Sequence, residues 1–145
     1  VLGRMAIALP LDLRLCRLVL FGVLFGCAAD AVVMAAALHG QDPFTLPISM
    51  VIKDHWKYTR AVLRSCESRM HFDAGAMSEP IMLRNLFKGW LRGLNTAGDG
   101  GSVPRLAQGG SAQRHTFVKH AQLFAKSHAV MPKRLTQLAL TVVDT

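Results

Sequence analysis

Apolar positions recur along this chain at intervals of three and four residues, the period of a helix rather than of a strand. The clearest series is Leu83, Leu86, Phe87, Trp90 and Leu94. Ser78 is placed to cap it, Glu79 to complement its dipole, and Pro80 falls in the tolerated first turn. Asp12 is expected to open an earlier helix running to about Phe25. Leu15, Leu18, Val19, Phe21, Leu24 and Phe25 lie on most of its faces, which predicts burial nearly all round. Asp30 is expected to cap a second short helix that stops near Gly40. Pro43 and Pro47 then break the helical pattern. Ser49 opens a longer helix to about Ser65, with Ile52, Trp56, Val62 and Leu63 on its expected buried side. Two last helices are expected at Arg114–Ser127 and, after Pro132, from Lys133 to about Val143. No segment alternates as a strand does, and no internal repeat is visible. The pattern predicts an all-α, compact helical bundle.

The most apolar stretch, "LVLFGVLFGCAADAVVMAAAL" at 18–38, raises the question of a membrane span. A span needs about 20 predominantly apolar residues. The uncharged run from Leu18 to Ala29 is shorter than that, and Asp30 would sit mid-span at a cost of roughly 3 kcal/mol. Gly26 as a helix terminus followed by a helix capped at Asp30 accounts for the same residues as two short helices. No membrane partner is expected. Residues 95–113 carry five glycines, no aromatic residue and no period, and are read as a flexible insertion.

Composition sharpens the picture in one direction. The 145 residues are 51% hydrophobic, enough for one domain with a core, and carry a net charge of +8. That charge favours an anionic partner, nucleic acid or an acidic protein. Lys53, Lys57, Arg60 and Arg64 stand at helical spacing, as do Arg84, Lys88 and Arg92. Such rows place cations at about 6 Å intervals, suited to backbone phosphates. A solvated helix surface is the competing reading. Trp56, Phe87 and Trp90 are assigned to apolar faces, as core rather than as base-stacking groups.

Catalytic and metal chemistry find little support. "GDGGS" at 98–102 lacks the Lys-Ser/Thr step of a phosphate-binding loop. His115 and His120 are five apart, as are Cys66 and His71, so neither pair has the i, i+4 spacing that aims two ligands at one ion. Cys16 and Cys27 lie in apolar sequence, where a thiol stays protonated. The odd number of cysteines, three, argues against a disulfide framework and for a reducing compartment. Capping explains Asp12, Asp30 and Glu79. The chain opens on Val1 rather than Met and reads as a fragment.

A longer pattern is also present. "LGRMAIALPLDLRLCRLVLFGVLFGCAADAVVMAAALHGQDPF" resembles the helicase-associated region of DEAH/RHA-type ATP-dependent RNA helicases. The resemblance rests on Leu2-Gly3, Leu9-Pro10-Leu11-Asp12, Phe25-Gly26-Cys27, Asp30, the alanine row to Leu38, and Pro43-Phe44. Phe72, Ser78, Leu83 and Trp90 in "HFDAGAMSEPIMLRNLFKGW" are similar to a later part of the same pattern, and "FAKSHAVMPKRLTQL" to its closing segment. The resemblance implies the ratchet-like helical domain of such an enzyme. On it, 1–11 is the tail of an upstream winged-helix domain, 12–94 the bundle, 95–113 the insertion and 114–145 the closing helices. It implies single-stranded RNA and the motor domains of the same chain as partners, in the nucleus or cytoplasm. ATP and magnesium belong to those motor domains, with no cofactor and no catalytic motif in this stretch. The alternative reading is a non-enzymatic docking module whose basic face binds an acidic regulator. The seven basic positions are the candidate RNA-binding residues in either stripe.

Overall fold

The computed structural model describes Gly3, Leu9, residues 11–96 and residues 111–145, with side chains 94–96 and 111–118 excluded. Six helices make up the described fold. They are α1 (Leu13–Leu24), α2 (Ala28–His39), α3 (His55–Asp73), α4 (Glu79–Thr96), α5 (Ser111–His128) and α6 (Pro132–Asp144). The fold is all-α, as the periodicity predicts. The expected flexible insertion falls mostly outside the described residues; at its edges α4 runs on to Thr96 and α5 begins at Ser111.

α1 and α2 form a tight hairpin. Asp12 caps α1, its carboxylate accepting the Leu13 N–H at 2.7 Å. Gly26, at φ +72°, makes the turn that closes it. A Cβ on Gly22 would stand 2.2 Å from the Ala31 Cβ, so only glycine permits this crossing. The run at 18–38 is therefore two helices. Among the described residues no helix is long and apolar enough to cross a membrane.

The alanine row of α2 serves two neighbours at once. Ala31 and Ala35 face α1, and Ala35 joins Leu11, Cys16 and Val19 in a small cluster. Ala36 and Ala37 join the main core of Phe44, Phe72, Leu86, Phe87, Trp90 and Leu135. Small side chains on both sides allow α2 to sit close to two partners. α4 is the central element, packed on α2, α3 and α5, and Trp90 on it is fully buried.

Three expectations are corrected. α1 is not buried all round: Cys16, Val19 and Gly22 are its buried residues, while Leu13, Phe21, Val23, Leu24 and Phe25 are exposed. It has one covered face because α2 is its main neighbour. Asp30 does not cap α2. Cys27 holds the cap position without a side-chain bond, and Asp30 lies in the first turn. Lastly, α3 begins six residues after Ser49, capped by Asp54, whose carboxylate accepts the Trp56 N–H at 3.0 Å and the Lys57 N–H at 3.4 Å.

The loop before α3 is fastened to the far end of the chain. Phe44 bridges Val130, the Thr45 N–H donates to the Ala129 carbonyl at 2.9 Å, and the Met131 N–H donates to the Pro43 carbonyl at 2.8 Å. Arg69 pairs with Asp42 and lies over the Phe44 ring, while Arg134 donates to the Asp42 carbonyl. α3 covers this loop with hydroxyls. Ser65 donates to the Thr45 carbonyl at 2.7 Å and Ser68 to the His128 carbonyl.

Candidate nucleic-acid interface

The two basic rows meet different fates. On α4, Arg84 and Lys88 converge on Asp30 of α2, at 3.2 Å and 2.7 Å. The Lys88 hydrogen bond, with the charges of Lys88 and Arg84, holds the Asp30 carboxyl below the usual carboxylate range against the opposing effect of burial. Two of the three α4 cations are thus half-buried and matched by one carboxylate. Arg92, one turn beyond Lys88, is exposed.

On α3 the cations remain at the surface. Lys53 is exposed in the turn preceding the helix, and Lys57, Arg60 and Arg64 are exposed along it. Lys57 has a neighbouring acid, Asp54, at 3.6 Å. An exposed pair of this kind holds its partners weakly. Arg64 donates to the Lys126 carbonyl in the last turn of α5. A guanidinium has five N–H donors, so this anchor leaves others for a second acceptor.

Lys57, Arg60 and Arg64 line a groove of about 740 Å³ between α3, the 45–52 loop and the end of α5. Lys126 completes the cationic rim from the opposite wall. The floor is apolar, with Pro47, Ile52, Ala61, Ala125 and Val130, and Leu46 stands exposed at its edge. Lys126 is the residue that sequence reasoning misses. It approaches Arg64 from 62 positions away, and no local spacing signals that.

Trp56 corrects another expectation. It is 80% exposed, whereas Phe87 and Trp90 are buried as expected. Trp56 lies in the first turn of α3 with its ring edge-on to His55, centroids 6.4 Å apart. Cys66 and His71 both lie within α3 and are exposed. His71 instead stacks on His128, centroids 5.8 Å apart, and His128 also meets Phe72 and Phe124. Among the described residues no three His, Cys, Asp or Glu side chains are grouped to hold a metal ion.

These features define the class: an all-α helical domain with one cationic, grooved flank. Residues 12–83 match the helicase-associated domain (HA2), ratchet-like, and the chain belongs to that family. It is 30% identical over 89 residues to the ATP-dependent RNA helicase TDRD9 of Mus musculus, covering 61% of this chain and 6% of that protein. It is 28% identical over 97 residues to the ATP-dependent RNA helicase DHX29 of Homo sapiens, covering 67% and 6%. Against the probable ATP-dependent RNA helicase spindle-E of Culex quinquefasciatus it is 25% identical over 122 residues, covering 84% and 8%. The chain therefore spans less than a tenth of the length of the curated relatives it matches. No solved structure matches it.

Proposed function

We propose that this domain is the accessory, RNA-channel part of a DEAH/RHA-type ATP-dependent RNA helicase, and that the α3 groove holds single-stranded RNA. The observation that carries the reading is the groove itself, a cationic rim over an apolar floor. Phosphates pair with Lys57, Arg60, Arg64 and Lys126, and the floor accepts the less polar faces of sugar and base. The family membership and the similarity to ATP-dependent RNA helicases support RNA as the ligand. ATP turnover is assigned to motor domains elsewhere in the parent, the second partner of this domain. Between the two basic rows, the α3 row is the better phosphate track, because Arg84 and Lys88 already face Asp30.

Salt dependence of RNA affinity tests this. For single strands each phosphate contact contributes about −0.7 to the slope of log affinity against log salt. Changing Lys57, Arg60 and Arg64 together to Gln flattens that slope by about 2 and weakens all RNA sequences alike. Gln keeps a helix propensity close to Lys and Arg, so stability is preserved. An unchanged slope overturns the assignment. Salt-insensitive RNA binding, or none, leaves the same rim to an acidic protein.

A further inference from the structure

Beside the cationic row, α3 carries a second row that the phosphate reading leaves unused. Trp56, Leu63 and Met70 recur every seven residues and are 80%, 57% and 74% exposed. Seven residues are close to two helical turns, so the three share one outward flank. Arg60 stands between the rows. It lies four residues after Trp56, three before Leu63 and four before Arg64, each a neighbour on the helix surface. Trp56 also follows Lys53 by three and precedes Lys57 by one. A large indole standing in water is costly unless something covers it. Three cations, Lys53, Lys57 and Arg60, lie near Trp56 in the sequence of this segment against one acid, Asp54. Its carboxylate is engaged in capping the helix and pairing Lys57, so the balance of charge favours an anion there.

We propose that Trp56 is a stacking platform for an unpaired nucleobase of the strand whose phosphates run along Arg60 and Arg64. This rests on the RNA reading above and adds to it the residue that contacts a base. The geometry of the ligand fits. α3 rises 1.5 Å per residue, so Arg60 and Arg64 stand about 6 Å apart along the axis, near one nucleotide step of an extended strand. A base turned outward from the Arg60 phosphate reaches Trp56, one turn back. A duplex cannot present an unstacked face there, so the indole selects single strands. Every base has such a face, so the contact selects no sequence.

The chain holds two tryptophans, and Trp90 is fully buried. The emission accessible to an aqueous quencher therefore belongs to Trp56. Oligouridylate and oligoadenylate twelve-mers should each quench that component on binding, and an abasic twelve-mer of the same charge should bind without quenching it. Trp56→Ala should weaken the base-bearing oligomers by about 5- to 150-fold, the range for one base–aromatic stack. It should leave abasic binding and the salt slope as they were. Trp56→Phe should restore most of the loss. The substituted side chain is solvent-facing, so the fold is retained and helical content checks this. If Trp56→Ala binds base-bearing RNA as tightly as the parent chain, the stacking role is overturned while the phosphate reading stands. If the charge-removing triple variant also leaves RNA affinity and slope unchanged, both fall. If Trp56 becomes shielded with rising protein concentration alone, the flank is a helix-docking seam and the stacking role is overturned.

Discussion

Trp90 packs against Phe87, ring centroids 5.8 Å apart, with no surface left to water, while Trp56 stands in solvent at the start of α3. The same residue type thus serves opposite ends, and truncation separates them. Trp90→Ala should cost about 3–5 kcal/mol in denaturant unfolding, as for a buried aromatic. Trp56→Ala should shift stability by no more than about 0.5 kcal/mol. The sequence shows why only one of them was readable. Trp90 sits in a continuous apolar series with Leu83, Leu86 and Phe87, which α4 buries as a unit. Helical spacing groups Trp56 with Ile52, Val62 and Leu63. Ile52 precedes the helix, Leu63 is exposed, and the buried side of α3 is Ser65, Ser68 and Phe72. A face that docks through hydroxyl-to-carbonyl bonds leaves no apolar period to find, since its partners, Thr45 and His128, are fixed only by the tertiary fold.

At the scale of elements, the contact between α2 and α4 joins alanines to aromatics and is closed at its edge by Asp30 with Arg84 and Lys88. Asp30→Asn removes one charge and leaves two cations unmatched. It should lower stability at neutral pH by about 1 kcal/mol, the upper range for partly exposed pairs. Because the Asp30 pKa is depressed in the folded chain, this contribution is present above the ordinary carboxylate value of 3.8 and is lost as pH falls through the lower folded value. Unfolding midpoints of the parent and variant should therefore converge under strong acid; a constant gap contradicts the assignment. Asp30 is also the position where local reasoning misleads. An acid near a helix start reads as a cap, and its actual partners lie 54 and 58 residues on, visible only when α4 is packed. Of the first basic row, Lys57, Arg60 and Arg64 keep their helical spacing on α3, while Lys53 lies in the turn before it.

For the molecule as a whole, the junction of α3 with α5 couples packing to proton concentration. Burial beside Phe72 and Phe124, and then the neighbouring His71, hold the His128 pKa below 6.5. The unfolded chain binds more protons there than the folded one, so this contribution is intact above pH 6.5. It is lost as pH falls through 6.5 toward the folded value. The stability difference between the parent and His128→Gln should therefore shrink from pH 8 to pH 5, measured by denaturant unfolding. A difference that does not move with pH contradicts the role of His128. The same junction forms one wall of the groove, so groove and junction should loosen together.

Thr45 and Ala129 meet across 84 positions of sequence, and the family match ends at residue 83. The groove is consequently a shared possession of two stretches: Leu46, Ile52 and Arg60 on one, Ala125, Lys126 and Val130 on the other. A chain divided between residues 97 and 110 would behave as a split reporter. On the RNA reading proposed above, each piece would carry half of the groove, and RNA retention would signal the moment the two polypeptides find one another.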